Sequence, residues 1–379
     1  MLPFQYALRN LLRRRARTVA TVLGIALTTL LVIVMSAFAH GLDRASKNTA
    51  RDDVVMLLGT SSEVDMVRSV VGRGAAEAAA AAAPGVLSVD GLKAASVELH
   101  IASREGNRIG LLRGITPAGY LVHPQVTLIE GREPREPYDL MVGRLAGTRM
   151  DMSEEELAVG KTIRLEKRDW TISGRFAAPG TVLEAEMWTR LDDLMVATKR
   201  EDVSCVALRL TGPDQLAQVR LFAARRLDLE IAVVPERELM AELDRGLRPI
   251  TALARWMALL VLAAGAFACA NTMFAAVLAR TRELGTLRAV GYSPQAIVVS
   301  LLQEASLVAL LGGGLGCAVA LLVGEVSLRF PMGAFTMELD GPRRALGLFA
   351  ALASGLLGGI VPALRAVRIP LVDAIGGKA

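Results

Sequence analysis

The sequence predicts an α-helical membrane protein with four transmembrane helices and a mixed α/β extracytoplasmic domain inserted between helices 1 and 2. Four uncharged stretches of 20 to 24 residues support this fold class, at 18–39, 256–279, 305–324 and 345–364. A helix needs about 20 such residues to cross the hydrocarbon core of a bilayer. The residues between the first two stretches combine helical and strand-like patterns, and about 200 residues can bury a core of their own.

The first stretch, 18–39, follows a basic segment and ends on Ala-Phe-Ala at 37–39. A cleaved signal peptide is an alternative interpretation, but its apolar core spans only about 7–15 residues, so we favour a transmembrane helix. The predicted domains are 1–40 (cytoplasmic N-terminus and helix 1), 41–248 (extracytoplasmic α/β domain) and 249–379 (helices 2–4).

Basic residues cluster before helix 1, after helix 2 and after helix 4. The clusters contain Arg9, Arg13, Arg14, Arg15, Arg17, Arg280, Arg282, Arg288, Arg365, Arg368 and Lys378. Basic segments next to membrane helices are usually cytoplasmic. All three clusters lie on the cytoplasmic side if both termini of the chain are cytoplasmic. The net charge of +5 is thereby explained without nucleic acid. We predict a multi-pass membrane protein with both termini on the cytoplasmic side.

The inserted domain shows strand and helix patterns along its length. Residues 96–103 and 108–115 alternate around a turn at 104–107, which predicts a hairpin with Val97 and Leu99 on one face and Glu98 and His100 on the other. Further predicted elements are a hairpin around 166–168, a helix at 75–83, and a β-α-β unit formed by 206–210, 214–227 and 229–234.

Helices 2 and 3 are predicted to be longer than the bilayer requires. The helical pattern of helix 2 begins at Glu236, which predicts a stalk, with a loop around 246–249 as the alternative. Ser293 and Pro294 are typical of the N-cap and first position of a helix. The apolar character of helix 3 continues to Phe330, or the helix breaks at 312–314.

Small residues and one acidic residue mark positions where the helices could meet. Gly312 and Gly316, and likewise Gly355 and Gly359, have the spacing that permits close helix approach in lipid, although glycine is common in membrane helices anyway. An acidic residue within a membrane helix is a functional candidate. Glu304 is near the start of helix 3, so we favour a structural pair with Arg280 or Arg282.

Searches for catalytic and metal-binding motifs give negative results. Gly160-Lys161-Thr162 resembles the end of a phosphate-binding loop, but Glu155 stands where that motif needs glycine. His40, His100 and His123 are scattered without a metal-ligand spacing. We therefore predict no catalytic residues, no metal site and no cofactor bound by this chain.

The sequence pattern of residues 280–291 predicts a basic amphipathic helix. Leu284, Leu287 and Val290 give a narrow apolar stripe, flanked by Arg280, Arg282, Glu283 and Arg288. Such a helix could lie on lipid headgroups or insert its leucines into a groove on a partner. Gly285 and Gly291 are unfavourable in a lone interfacial helix. They suit a close surface approach, or a helix end at Gly291.

The same region resembles the signature of the FtsX/MacB superfamily of ABC transporter permeases. The matching residues are Arg-Glu-Leu-Gly at 282–285, Leu-Arg-Ala-Val-Gly at 287–291, Ser293 and Glu304. Further similar stretches occur at 10–27, 111–117, 142–146, 157–165 and 362–375. The resemblance covers nearly the whole chain.

This resemblance implies a dimerising permease that pairs with a second copy or a paralogue and with a dimer of cytoplasmic ABC ATPase subunits, which bind ATP and Mg²⁺. Residues 280–291, which we call the coupling segment, would dock on the ATPase, and the motion of this segment would reach the outer domain to drive export or extraction of an envelope substrate such as a lipoprotein, lipid or small molecule. A periplasmic adaptor or acceptor is a further expected partner. The alternatives are an FtsX-like mechanotransmitter that regulates an extracytoplasmic enzyme, and a membrane-anchored binding protein without an ATPase.

Overall fold

The computed structural model describes residues 15–62, 66–105, 108–330 and 333–370. The predicted hairpin turn at Gly106 and Asn107, the basic residues before Arg15, and the family-like ending beyond 370 lie outside these ranges. The helices of the described residues are α1 (Arg15–Thr49), α2 (Arg73–Ala82), α3 (Gly119–Val122), α4 (Ala146–Met150), α5 (Leu191–Thr198), α6 (Leu216–Arg225), α7 (Glu236–Leu278), α8 (Thr281–Ala289), α9 (Pro294–Val323) and α10 (Gly341–Arg368).

The strands are mostly found between α1 and α7. They are β1 (Val54–Gly59), β2 (Val71–Gly72), β3 (Ser88–Val89), β4 (Leu92–Lys93), β5 (Ala95–Glu105), β6 (Arg108–Ile115), β7 (Thr127–Gly131), β8 (Asp139–Gly143), β9 (Thr162–Leu165), β10 (Arg168–Ala177), β11 (Glu186–Arg190), β12 (Asp202–Val203), β13 (Cys205–Arg209), β14 (Ile231–Pro235), β15 (Glu325–Phe330) and β16 (Gly333–Glu338). Short 3₁₀ helices occupy Val182–Ala185, Pro213–Gln215 and Leu227–Leu229.

Within the part of the chain that the structure describes, four helices are long and apolar enough to span a membrane. They are α1, α7, α9 and α10, with 35, 43, 30 and 28 residues, and each contains an 18-residue window with a mean hydropathy of at least 1.9. The four predicted transmembrane helices are therefore present as candidate spans, and the strand-rich domain is inserted between the first two. The side of the membrane on which each end lies stays a prediction.

The helix α7 runs without interruption from Glu236 to Leu278, with Pro249 inside it. The predicted stalk is confirmed as a helix, and the alternative loop around 246–249 is wrong. Proline removes only one backbone hydrogen bond from a helix, and the turns on both sides of Pro249 continue here.

The helix α9 starts as predicted but ends earlier than predicted. The Ala296 N–H group donates a hydrogen bond to Ser293 Oγ at 3.3 Å, which makes Ser293 the N-cap. The helix passes through the glycines at 312–314 and ends at Val323, whereas we predicted apolar helix as far as Phe330. Gly324 has a φ of +69° that favours glycine, and the following residues form the strand β15, which pairs with β16.

The described chain separates into two compact units. One contains the described residues 15–40, 250–326 and 337–370, and the other contains the described residues 41–62, 66–105, 108–249, 327–330 and 333–336. We call them the helical unit and the inserted domain. The inserted domain thus includes most of β15 and of β16.

A ten-stranded sheet organises the inserted domain. Its strand order is β14-β1-β13-β5-β6-β11-β8-β10-β7, with β9 pairing to β10. The predicted hairpins are confirmed, because β5 pairs with β6 and β9 with β10 in antiparallel register. The predicted β-α-β unit is also present as β13, α6 and β14. The strand β1 lies between β13 and β14 and is antiparallel to both.

Both faces of this sheet are covered. Along β1, Val55 and Leu57 contact an apolar core that includes residues of α2, α5 and α6. The alternate residues Val54, Met56 and Leu58 contact a second core on the opposite face, which includes Leu239 and Met240 of α7. A central strand with two buried faces is apolar at every position, as β1 is. Polar residues on the central strands are therefore also buried.

Candidate coupling segment

The coupling segment forms a separate short helix between α7 and α9. Arg280 is the N-cap residue of α8, which spans Thr281–Ala289. Gly291 has a φ of +105°, a left-handed conformation that ends the helix and is favourable mainly for glycine. The predicted basic helix is therefore present. Gly291 lies just after its end, in agreement with the interpretation of this glycine as a helix terminator.

One face of α8 packs against the helical unit itself. Leu284 is only 4% exposed, and Gly285 is also buried. Leu284 belongs to an apolar cluster with Cys269, Met273, Val277, Ile297, Leu301, Ala305, Ala363 and Ala366, and Leu287 packs against this cluster. The hypothesis that Leu284 is an anchor for a partner needs correction, because its side chain is already covered by its own chain. An apolar stripe in the sequence does not identify what covers its side chains.

The opposite face of α8 is exposed. It carries Arg282, Glu283, Thr286 and Ala289, followed by Val290, which is 74% exposed. This face combines charged, polar and small groups with one apolar side chain. It is the surface of the coupling segment that a partner could contact.

Two arginines fix the segment to neighbouring helices. Arg280 Nη1 lies 3.0 Å from a carboxylate oxygen of Glu304 on α9, and both side chains are about one-tenth exposed. Arg280 Nε also lies 3.5 Å from Glu283. Arg288 Nη1 donates a hydrogen bond of 2.6 Å to the carbonyl oxygen of Ile369, just after α10. Of the two partners considered for Glu304, the structure brings Arg280 to it.

The glycine pairs lie where helices of the helical unit approach closely. An added Cβ atom at Gly312 or Gly316 would lie within 3.0 Å of atoms of α1, including the carbonyl oxygens of Val22 and Ala26. A Cβ atom at Gly355 would lie 2.6 Å from that of Ala309 on α9, and Gly359 faces Ala305 at 3.0 Å. Absence of a side chain at these positions thus permits the close contact of α9 with α1 and α10.

The inserted domain also contains a buried polar cluster, which we call the Glu98 cluster and which the sequence pattern did not predict. It consists of Glu98, His100, Arg113, His123, Glu186 and Cys205, all at most 6% exposed. Glu98 accepts one hydrogen bond from Arg113 at 2.9 Å, and ring nitrogens of His100 and His123 lie 3.1 Å from its oxygens. Two of the histidines that looked scattered therefore meet at one carboxylate. The sequence offers one indication of this cluster, because Glu98 and His100 are two residues apart on one strand and therefore share a face of the sheet. Burial of both sheet faces, which the structure shows, is needed to predict that these side chains are buried.

Burial and the neighbouring charges have opposite effects on the pKa values of Glu98 and Arg113. Burial would raise the pKa of Glu98, but the neighbouring His123 and Arg113 more than offset it, so that pKa lies well below its ordinary value. Burial, together with Arg113, lowers the pKa of His100. Burial raises the pKa of the Cys205 thiol well above its ordinary value. Arg113 stays charged because Glu186 and Glu98 overcome the effect of burial and raise its pKa.

The loop-like sequence at 160–162 leads into the strand β9, not into a helix. A phosphate-binding loop needs a helix whose N-terminus faces the phosphates. The structure therefore agrees with the rejection of Gly160-Lys161-Thr162 as a nucleotide site.

Two family models match the chain. The model described as MacB-like periplasmic core domain matches residues 18–221, which is more than half of the chain, and the model described as FtsX-like permease C-terminal matches residues 256–371. The first match covers α1 and most of the inserted domain. The second covers the candidate spans after Trp256, including the coupling segment.

Curated relatives are similar over part of the chain. The macrolide export ATP-binding/permease protein MacB of Shewanella sp. (strain ANA-3) is 29% identical over 191 residues, which are 50% of this chain and 29% of that protein. The protein of the same name from Chromobacterium violaceum is 31% identical over 138 residues, which are 36% of this chain and 21% of that protein. The matches thus span less than a third of the length of these relatives.

A solved structure is also similar, that of the periplasmic region of MacB from Actinobacillus actinomycetemcomitans. It shares 10% identity and has a TM-score of 0.38, over 52% of this chain and 95% of that one. This likeness is too distant to carry an argument.

Proposed function

Because the chain belongs to the MacB/FtsX-like family of ABC transporter permeases, we propose that it is the permease subunit of an ABC transporter driven by a separate cytoplasmic ATPase. ATP hydrolysis on that ATPase moves the extracytoplasmic domain of the permease and so drives export or extraction of an envelope substrate. The substrate is a lipoprotein, a lipid or a small molecule. The permease itself is not catalytic, and ATP and Mg²⁺ bind to the ATPase.

The exposed face of α8 is the observation that carries this proposal. A loop between two membrane helices needs no helix of its own, yet this segment folds into one that is held by Leu284 and Arg280 on its inner side. Its outer side leaves Arg282 and Val290 free to contact a docking surface. With the basic clusters in the cytoplasm, this face is on the side where an ATPase works.

The unbroken helix α7 supports the coupling part of the proposal. It extends for 43 residues, which is roughly 65 Å at 1.5 Å per residue and about twice the thickness of a hydrocarbon core. Its first residues pack in the core of the inserted domain, and its last residues precede the coupling segment. A continuous helix can pass on a displacement that a flexible loop would absorb.

The remaining partners follow from the family. We propose a dimer with a second copy or a paralogue, a bacterial inner-membrane location with both termini cytoplasmic, and a periplasmic adaptor or acceptor. The curated relatives are named macrolide export proteins, which supports small-molecule export among the substrate classes. The alternative of a mechanotransmitter without transport is not favoured by these relatives.

Site-specific photo-crosslinking tests the docking surface. A photoreactive benzoylphenylalanine replaces Val290 on the exposed face of α8 or, as the control, Val196, which is 58% exposed on the inserted domain. We expect position 290 to cross-link to a protein with an ATPase nucleotide-binding domain and position 196 not to do so. The same ATPase should co-purify less with Val290→Asp and Arg282→Glu chains than with the wild type.

Cysteine labelling tests the orientation. A membrane-impermeant maleimide applied to intact spheroplasts should label Leu227→Cys, which replaces a residue 80% exposed on the inserted domain, and should label Val290→Cys only after lysis. Labelling of Val290→Cys from outside would place the coupling segment on the wrong side and refute the proposal.

A further inference from the structure

We propose that Glu98, His100 and Cys205 bind one transition-metal ion, Zn²⁺ by the chemistry of the ligands, in the interior of the inserted domain. The inference is independent of the transport function. It rests on where the strands place the three side chains, on the distances between their donor atoms, and on the charges around them.

The sheet brings the three donors to one patch of one face. Glu98 and His100 are two residues apart on β5, so their side chains project from the same face. Cys205 is paired with Glu98 in the register of β13 with β5. Directly paired residues on neighbouring strands have Cβ atoms about 5 Å apart. The three ligands are therefore positioned by central strands of a ten-stranded sheet, not by mobile loops.

The donor atoms already have nearly the spacing of a zinc site. His100 Nε2 lies 3.1 Å from Glu98 Oε2 and 3.8 Å from Cys205 Sγ, and the three donor atoms all lie within 4.8 Å of one another. Zinc bonds to nitrogen and oxygen are about 2.0–2.2 Å and to sulfur about 2.3 Å, so tetrahedral ligands are roughly 3.3–3.8 Å apart. Small side-chain rotations would enclose an ion.

The donor types select the metal. Thiolate and imidazole ligands with one carboxylate are typical of Zn²⁺, whereas Ca²⁺ and Mg²⁺ take oxygen ligands. All three side chains are at most 5% exposed, so bulk water does not compete for them. Binding replaces the proton of the Cys205 thiol by the metal: the S–H bond breaks, a thiolate–zinc bond forms, and the proton goes to solvent.

The ion would also add positive charge beside the carboxylates of the Glu98 cluster. Within this cluster, Glu98 and Glu186 face one guanidinium, that of Arg113. A divalent ion that replaces the Cys205 proton would place further positive charge next to Glu98. Arg149 and Glu236 are also buried and interact electrostatically with groups of the cluster.

Arg113 does not prevent binding, although it now contacts Glu98. Its Nε and Nη2 atoms donate hydrogen bonds of 2.8 and 2.9 Å to the two oxygens of Glu186. This bidentate pair keeps the guanidinium compensated when Glu98 turns an oxygen to the metal.

His123 is a positioning residue for the carboxylate. Its Nε2 atom lies 3.1 Å from Glu98 Oε1, and its Nδ1 atom is buried without a hydrogen-bond partner among the described residues. The same Nε2 atom lies 3.3 Å from Arg113 Nη1, so this ring nitrogen contacts both the carboxylate of Glu98 and the guanidinium that faces it. Such outer partners of a metal ligand typically change metal affinity by about 10–100-fold.

Metal analysis of the full chain, purified in detergent under reducing conditions, tests the site. The protein is incubated with equimolar Zn²⁺, passed through a desalting column and analysed by elemental mass spectrometry. We expect about one zinc per chain in the wild type and at least a tenfold loss in Cys205→Ser and His100→Ala. Cys317→Ser and His40→Ala, which change a thiol and an imidazole outside the cluster, should retain the zinc of the wild type.

Cobalt substitution identifies the ligands without depending on stability. The Co²⁺ form of the wild type should show a thiolate-to-cobalt charge-transfer band, which Cys205→Ser loses and His123→Ala keeps at an affinity about 10–100-fold lower. Absence of bound zinc in the wild type, or equal zinc in the wild type, Cys205→Ser and His100→Ala, would show that the cluster is only a hydrogen-bonded network and would overturn the proposal.

Discussion

The glycine triplet at 312–314 permits a test in which packing alone differs between two variants. Both Gly312 and Gly314 lie inside α9. A Cβ atom added at Gly312 would lie 2.7 Å from Ile25 Cβ and 2.8 Å from the carbonyl oxygen of Val22, whereas one added at Gly314 would have no heavy atom within 4 Å. We predict that Gly312→Ala destabilises the helical unit and Gly314→Ala does not.

The change in the free energy of unfolding on replacing glycine by alanine combines a cost of overpacking and a gain in helix stability. Overpacking a well-packed contact costs about 1–3 kcal/mol, and replacing glycine by alanine inside a helix stabilises it by roughly 0.5–1 kcal/mol. The helix term is common to both variants and cancels in their difference. The free energy of unfolding should therefore be about 1–3 kcal/mol lower in Gly312→Ala than in Gly314→Ala.

Thiol labelling of Cys269 measures this difference in the detergent-solubilised chain. Cys269 is 2% exposed, so a thiol reagent modifies it only when the helical unit opens. Peptide mass spectrometry separates its modification from that of the other cysteines. Because 1.4 kcal/mol is a factor of ten, we expect labelling about 5–150 times faster in Gly312→Ala than in Gly314→Ala. Equal rates, or slower labelling in Gly312→Ala, would refute the packing argument.

Three further predictions concern single side chains. Glu304→Ala removes the closest carboxylate from the buried Arg280 and should destabilise the helical unit by up to about 3–5 kcal/mol, more than Glu304→Gln does, as measured by thermal unfolding in detergent. Leu284→Asp places a carboxylate inside an apolar cluster, so size-exclusion chromatography should show a lower yield of folded protein than for Val290→Asp. Burial opposes ionisation of Asp53, but hydrogen bonds from Arg51 and Arg209 more than offset it and lower its pKa. The stability it contributes is complete above roughly pH 4–5 and lost as pH falls further, so Asp53→Asn should melt earlier at pH 7 and lose less stability than the wild type between pH 5 and 3.

The candidate spans and hairpins could be predicted because local pattern is sufficient for them. A long uncharged stretch has few alternatives to a membrane helix, and alternation around a turn defines a hairpin. The end of α9 could not be predicted in this way, since apolar residues recur beyond Gly324, at Val326, Leu328 and Phe330, although Glu325 and Arg329 lie in the same stretch. The helix ends through the left-handed conformation of Gly324 and the pairing of β15 with β16, which depends on residues further along the chain.

For the candidate sites too, the sequence predicted the local pattern but not the tertiary contacts. The pattern of the coupling segment predicted a helix with an apolar stripe, but only the tertiary structure shows that Leu284 packs inward and Val290 is exposed. Alternation along β5 separated Glu98 from Leu99 correctly. It could not show that a second core covers the face of Glu98, because that core comes from residues distant in sequence.

The long segment of the inserted domain, residues 41–249, has its first and last strands side by side in the sheet. The strand β1 begins beside the end of β14, with Val55 paired to Pro235, and the backbone N–H of Arg51 donates to the Glu236 carboxylate at 3.0 Å. A force that separates these two strand ends would break the hydrogen bonds between β1 and β14 one after another. A force that moves both strand ends in the same direction does not load these hydrogen bonds. The domain is thus mechanically weak against separation of the two ends of this segment and strong when both ends move together.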